Sequence, residues 1–426
     1  MAEDQTAEVP DTLFSECKPE FSPTSLTSRS NSHMIFPLRH RYCFYILTTL
    51  FLVSCGTETN DPPEIQDPEI DITVPDGFRV ELFSDDISLP TSMEFPPDGS
   101  DRLFVNELQS GKIWIYEDGQ KKSVPFADLA LNIEGGFPVA GENGLLGLEF
   151  HPNYENNRFV YVTYVSRLNG GEVASVARFT DVNNRGEDFT VLLTGLPSAK
   201  GHQIENLRFG PDGMLYVSVG DAYQEEKVQD LDEFHGKILR MTPEGEIPAD
   251  NPFGADNYTY AVGFRNAFDM NFRSNGDLIV SDNGPTGMDR FMVVEAGGNY
   301  GWPEELGFHD NPEFVNPIHV WTETVSPTGM LTYKGTHFPD RYRGKLFHVL
   351  FGYTYSEGPN ANGKRIQVVN IDGTGQETTA QFEDFAVWNF DEQSPNNPVD
   401  IAEGPDGSLY VGDIFQNKIF RISYNP

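Results

Sequence analysis

Between Gly201 and Asp221 the chain places an imidazole and a carboxylate at the two open ends of what reads as one hairpin. Leu207 and Phe209 alternate with polar neighbours, which is a strand period. Pro211-Asp212-Gly213 is a turn, because proline presets φ and glycine accepts a positive φ. Residues 214–219, rich in Leu, Tyr and Val, form a second strand. In an antiparallel pair the start of one strand and the end of the next are neighbours, so His202 and Asp221 come to one rim. That is the geometry of a general base oriented by an acid. The same spacing also suits a surface histidine and a strand-end aspartate that never touch, and spacing alone leaves both open. Arg265, in Gly263-Phe264-Arg265-Asn266-Ala267-Phe268, offers a cation for developing negative charge or a structural partner in an acidic chain. His151, before Pro152, reads as a turn or core histidine, and Tyr300 and Trp302 read as packing at a junction of elements.

The elements that must carry these side chains repeat. Phe95-Pro96-Pro97-Asp98-Gly99 precedes Leu103-Phe104-Val105, and Phe209-Gly210-Pro211-Asp212-Gly213 precedes Leu215-Tyr216-Val217. Phe150-His151-Pro152-Asn153, Phe272-Arg273-Ser274-Asn275-Gly276 and Glu403-Gly404-Pro405-Asp406-Gly407 each lead into a similar apolar run. Third strands follow most units, at residues 112–116, 237–241 and 418–422. The spacing, roughly 50–65 residues per unit, gives about six blades of a propeller. The fold class is therefore all-β, a six-bladed β-propeller over residues 74–426. Loops from several blades of a propeller converge at the axis, where distant residues can meet.

Composition excludes some partners. The 426 residues carry a net charge of −36 with no basic run, which argues against nucleic acid and against anionic lipid as a binding surface. Residues 1–33 are polar and aperiodic and read as an upstream extension with no role in the fold. Residues 34–55 combine a basic segment with a short apolar run and end in Leu52-Val53-Ser54-Cys55, which resembles a lipoprotein signal with Cys55 as the lipidated residue. The rival reading is an uncleaved anchor helix, for which the run is short. Cys17, Cys43 and Cys55 are the three cysteines, so an exported domain would have no disulfide. Residues 56–73, acidic and proline-rich, read as a spacer. The expected location is the bacterial cell envelope, with the membrane engaged by the lipid anchor alone.

Four stretches go beyond the repeat: residues 141–152 (Gly-Glu-Asn-Gly-Leu-Leu-Gly-Leu-Glu-Phe-His-Pro), the 201–221 hairpin, residues 263–268 after Gly236-Lys237-Ile238-Leu239-Arg240, and Asp282-Asn283-Gly284-Pro285 followed by Gly298-Asn299-Tyr300-Gly301-Trp302-Pro303. In this order they resemble the glucose/sorbosone dehydrogenase family, quinoprotein aldose dehydrogenases on a six-bladed propeller. The resemblance implies oxidation of the anomeric carbon of an aldose to a lactone, with pyrroloquinoline quinone (PQQ) and calcium as cofactors and an external electron acceptor. It implies His202 as the base, Asp221 as its orienting acid and Arg265 as the cation beside the quinone oxygen. Asn266 and Asn283 would contact the cofactor, and Glu142 would line the pocket. Gly284 and Pro285 would give carbonyls to the calcium on PQQ, while Tyr300 and Asp310 fall where a second, structural calcium is bound.

The sequence also departs from that family's pattern. Ile204 and Glu205 stand where small residues usually follow the histidine, and a carboxylate there would repel an anionic cofactor. Gly201 replaces a frequent acid, and Arg290 replaces a calcium-ligand acid after Asp289. Asn397 stands where an arginine meets the PQQ carboxylates, and no lysine follows Leu346-Phe347-His348-Val349; Lys364 and Arg365 are the candidate substitutes. Two alternatives therefore stand beside the dehydrogenase: a cofactor-less propeller binding sugar or protein ligands, and a calcium-dependent lactone hydrolase. The hydrolase would need a carboxylate cage, for which Glu142 and Glu205 are the candidates.

Overall fold

The computed structural model describes residues 70–426, apart from 134, 138–140, 169, 286, 353–362 and 390–395. The extension, the signal with Cys55 and residues 56–69 of the spacer lie outside the described residues.

Six small antiparallel sheets follow one another along the chain. Their inner strands are Pro90–Glu94, Leu145–Phe150, Ile204–Phe209, Ala267–Phe272, Pro327–Thr332 and Pro398–Glu403. Each inner strand lies beside the next, and the sixth lies beside the first, so the ring closes around an axial channel. The architecture is the six-bladed propeller expected from the repeat. Closure is made by the chain's two ends: Phe78–Ser84 pairs with Lys418–Tyr424, Phe78 opposite Tyr424, as the outer strand of the sixth blade. The structure extends the folded domain slightly past the expected boundary. Ile72–Thr73, placed in the spacer by sequence, pairs with Trp388 and Val387 at the edge of the fifth blade.

Period-two patterning explains why blades stack. In Leu215–Val219 every residue is buried. Leu215, Val217 and Val219 pack with Leu207 and, across the blade gap, with Tyr161 and Val165 of the second blade. Tyr216 faces the other way and packs with Ala267, Met270 and Leu278 of the fourth blade. Alternate side chains thus bind a blade to both neighbours, and each fully buried Val or Leu contributes about 1.5–3 kcal/mol. The fifth blade lacks the Pro-Asp-Gly turn that the first, third and sixth blades carry. Its first connection runs through Tyr333 and a 3-10 turn at Asp340–Tyr342, packed against Phe338 and Phe347.

Candidate functional site

The hairpin forms as expected: Ile204 pairs with Val219 and Phe209 with Leu215. His202 and Asp221 therefore meet at its open end, with Nδ1 2.9 Å from Asp221 Oδ1. Asp221 Oδ1 also accepts from the Tyr223 backbone N–H at 2.9 Å, and Oδ2 accepts from Trp302 Nε1 at 3.0 Å. An ionised carboxylate only accepts, so Nδ1 is the donor, and in the neutral imidazole Nε2 then carries the lone pair. His202 is 8 % exposed and holds a left-handed φ of +55°, a strained backbone of the kind found at functional sites. Gly220 permits this crossing. A Cβ on it would stand 2.4 Å from the His202 carbonyl and 3.1 Å from that of Arg265.

The Gly220 contact ties the histidine to the next blade. The Arg265 carbonyl accepts from Asp221 N–H at 2.7 Å. The turn carrying Arg265 hangs on the fully buried Asp282. Asp282 Oδ1 accepts from Arg265 N–H at 3.0 Å and from Asn266 N–H at 2.7 Å, while Oδ2 accepts from Arg290 Nε at 3.0 Å. The Arg265 side chain donates through Nη1 to the carbonyls of Asn283 and Gly284, both at 3.0 Å, and its guanidinium lies 5.8 Å from the centre of the Trp302 ring. Glu142 reaches in from the second blade, and its exposed carboxylate accepts from His202 N–H at 3.2 Å. Glu142, His202, Asp221, Arg265, Asn266, Asn283 and Gly284 are thus linked through loops of three blades.

Two roles were missed in the sequence. Trp302, read as packing, is a donor to Asp221. Asp282 is the anchor for Arg265 and Asn266. Trp302 is 81 residues from its partner, so no local signal could reveal it. Tyr300 and His151 fit the packing and turn roles expected of them. Tyr300 stacks on Phe264 with centroids 5.0 Å apart, and His151 Nδ1 accepts from Asn153 N–H at 2.9 Å in a turn.

The donor set bears unevenly on the expected cofactors. The side-chain oxygens of Gln203, Asn266 and Asn283 are buried without a hydrogen-bond partner. Amide oxygens only accept, so these three suit a ligand's donor or a cation, and the Arg265 guanidinium is the group here that suits an anionic ligand such as PQQ. The Gly284 and Pro285 carbonyls are hard donors suited to calcium, although Gly284 already accepts from Arg265 and Pro285 from Met288 N–H at 3.1 Å. The second calcium fits poorly. The Tyr300 carbonyl is taken by the fully buried Arg290 guanidinium and Asp310 is exposed, so a fixed cation already fills that place. Among the described residues no group of three or more His, Cys, Asp or Glu is placed to hold a metal.

Other departures take a different meaning in the fold. Glu205 is 2 % exposed, and burial, then Glu142, pushes its pKa well above the usual carboxylate range. The neutral acid is favoured, so the expected repulsion of an anion by Glu205 is weakened. Asn397 is buried, donating through Nδ2 to the Phe351 carbonyl at 2.9 Å. Lys364 packs against Gly352, the next residue, where burial lowers its pKa and Asp413 partly offsets that effect. Arg365 instead pairs with Asp384 at 2.6 Å. Asp413 links the two positions: it accepts from Asn397 N–H at 3.0 Å and acts electrostatically on Lys364.

Fold and site together define a six-bladed propeller with a polar centre on loops of three blades. The chain belongs to the glucose/sorbosone dehydrogenase family, whose sequence signature matches residues 87–418. It is 30% identical over 271 residues to quinoprotein glucose dehydrogenase B of Acinetobacter calcoaceticus, covering 56% of this chain and 55% of that one. It is 28% identical over 377 residues to the aldose sugar dehydrogenase YliI of Escherichia coli, covering 82% and 94%. In fold it resembles the PQQ-bound aldose sugar dehydrogenase of Streptomyces coelicolor, with a TM-score of 0.65 at 22% identity over 82% of this chain and 99% of that one. Among the described residues no helix is long and apolar enough to cross a membrane.

Proposed function

We propose that this protein oxidises an aldose at its anomeric carbon to the lactone, using PQQ and passing the electrons to an external acceptor. The observation that carries the reading is the His202–Asp221 pair, held 2.9 Å apart beside Arg265 in a chain of this family. His202 Nε2 takes the proton of the anomeric hydroxyl. Asp221 keeps Nδ1–H in place and stabilises the imidazolium that results. Trp302 and the Tyr223 N–H fix Asp221 in turn. Arg265 sets a positive charge where negative charge develops, and Asp282 keeps it there. Bound PQQ supplies the two-electron acceptor for the hydride that leaves the anomeric carbon.

Arg265, Asn266 and Asn283 would hold PQQ, with Lys364 as a further cation. Calcium at the Gly284 and Pro285 carbonyls is the finer part of the proposal, and Glu142 would meet the sugar. The test is dye-linked aldose oxidation by the purified domain with and without added PQQ. Turnover that depends on PQQ supports the reading; a protein that neither binds PQQ nor oxidises any aldose contradicts it. Chelation should weaken PQQ binding and calcium restore it; unchanged binding would remove calcium from the site. Membrane attachment through Cys55 is a separate proposal. Mass spectrometry of the mature protein should find a lipidated Cys55 at its N-terminus, and an unmodified Cys55 would refute it.

A further inference from the structure

One aromatic ring at the site has no part in the mechanism above, which uses only that residue's backbone N–H. Tyr223 lies over His202, with ring centroids 4.3 Å apart and planes 43° apart. It is 59 % exposed, the reverse of the buried rings that build the blade gaps. Its φ is +56° and that of Ala222 is +48°, so two successive residues without glycine's freedom hold the left-handed region. The fold keeps that strain, and one result is that the Tyr223 side chain lies on the imidazole. Gly201 completes the arrangement. A Cβ at 201 would stand 2.7 Å from the Tyr223 hydroxyl and 2.8 Å from Glu142 Oε2. Any side chain there would displace both groups, which gives the glycine before His202 a physical reason.

We propose that Tyr223 is the specificity-determining wall of the sugar subsite. This rests on the aldose dehydrogenase reading. A pyranose laid on the exposed ring face keeps its C–H bonds against the π surface and its hydroxyls toward Glu142 and the Tyr223 hydroxyl. A large, rigid, amphipathic ring beside the base suits a ligand with an apolar face and a polar rim. The substrate class is then an aldopyranose with no axial hydroxyl on the stacked face.

The test compares the parent, Tyr223→Phe and Tyr223→Ala over glucose, xylose, galactose and mannose. Tyr223→Ala should raise KM for the preferred sugar about tenfold, more than it lowers kcat, and flatten the ranking. Tyr223→Phe should keep the ranking, because it keeps the ring. An unchanged KM and ranking in Tyr223→Ala, or a loss confined to kcat, overturns the proposal. Saturation-transfer NMR with PQQ-free protein separates this from failure of the oxidase reading. Transfer to the aldose in the parent that is lost in Tyr223→Ala supports the wall even if no turnover is found. Equal transfer in both, or none in either, overturns it.

Discussion

The mouth of the propeller and the channel beneath it are built from the same chemical groups and behave differently. At the mouth two buried carboxylates have their own sets of donors: Asp221 has His202, Trp302 and a backbone N–H, and Asp282 has two N–H groups and Arg290. In the channel Arg208 is the guanidinium amid four acids. It donates to Asp269 at 3.1 Å and lies 3.5 Å from Glu149, while Glu94 and Asp400 share its field. Burial pushes Glu94 and Asp400 up to about 7, and raises Glu149 and Asp269 as well. A carboxylate with its own donors orients a base; acids that share Arg208, with Lys334 acting on Glu94 and Glu149 as well, are shifted toward the protonated form by burial.

Breaking the mouth should cost activity and leave the fold intact. His202→Ala should lower turnover by about two to four decades, with PQQ titration and thermal unfolding near those of the parent. Breaking the channel should do the opposite. Arg208→Met takes the shared guanidinium from the buried Asp269 and Asp400 and the partly buried Glu94 and Glu149, and should lower stability by roughly 3–5 kcal/mol, read by denaturant unfolding. Protonation of the acids would reduce that loss at low pH.

A finer cut at the mouth is Trp302→Phe, which keeps the ring and removes the donor to Asp221 Oδ2. Turnover should fall about tenfold, because one hydrogen bond to a charged group is lost. Loss of PQQ binding with no change in the bound protein's turnover would show that the ring matters and the N–H does not.

The smallest effects are in pH. Glu94 and Asp400 have folded pKa values above their ordinary ones of 4.5 and 3.8, so the fold binds more protons than the unfolded chain. Their contribution is complete below the ordinary values and is lost as pH rises through about 7. His348 is fully buried against Phe291 and Trp321 in the fourth and fifth blades, and its pKa falls to about 3. Its contribution is complete above the ordinary 6.5 and is lost as pH falls toward about 3. Glu94→Gln should therefore flatten the alkaline limb of a melting-temperature profile and His348→Leu the acid limb. A substitution that moves the other limb would contradict the assignment. Every tenfold difference in proton affinity between the folded and unfolded chain is worth about 1.4 kcal/mol at most.

The sequence made the mouth more legible than the channel for a physical reason. His202, Asp221 and the turn between them are local, so strand period and turn chemistry make their meeting one of the two readings the spacing allows. Arg265, Asn266 and Asn283 were legible by family resemblance, in an order the fold preserves. Trp302 and Asp282 act across distances along the chain that no periodicity encodes. Glu205 looked like an obstructive charge because burial cannot be read from residue type. The channel acids sit at strand positions that look solvated until six inner strands close into a ring. The fifth blade escaped the repeat because its first connection is a longer one through a 3-10 turn at Asp340–Tyr342.

The proposed chemistry turns on the imidazole of His202, fixed by Asp221, taking the proton when the aldose is oxidised. Stopped-flow absorbance of PQQ-loaded His202→Ala mixed with an aldose, with and without added imidazole, isolates that step. Reduction should be slowed by about two to four decades and partly restored by free imidazole in its neutral form. Reduction at the parent rate in the variant, with PQQ bound and no imidazole added, would contradict it.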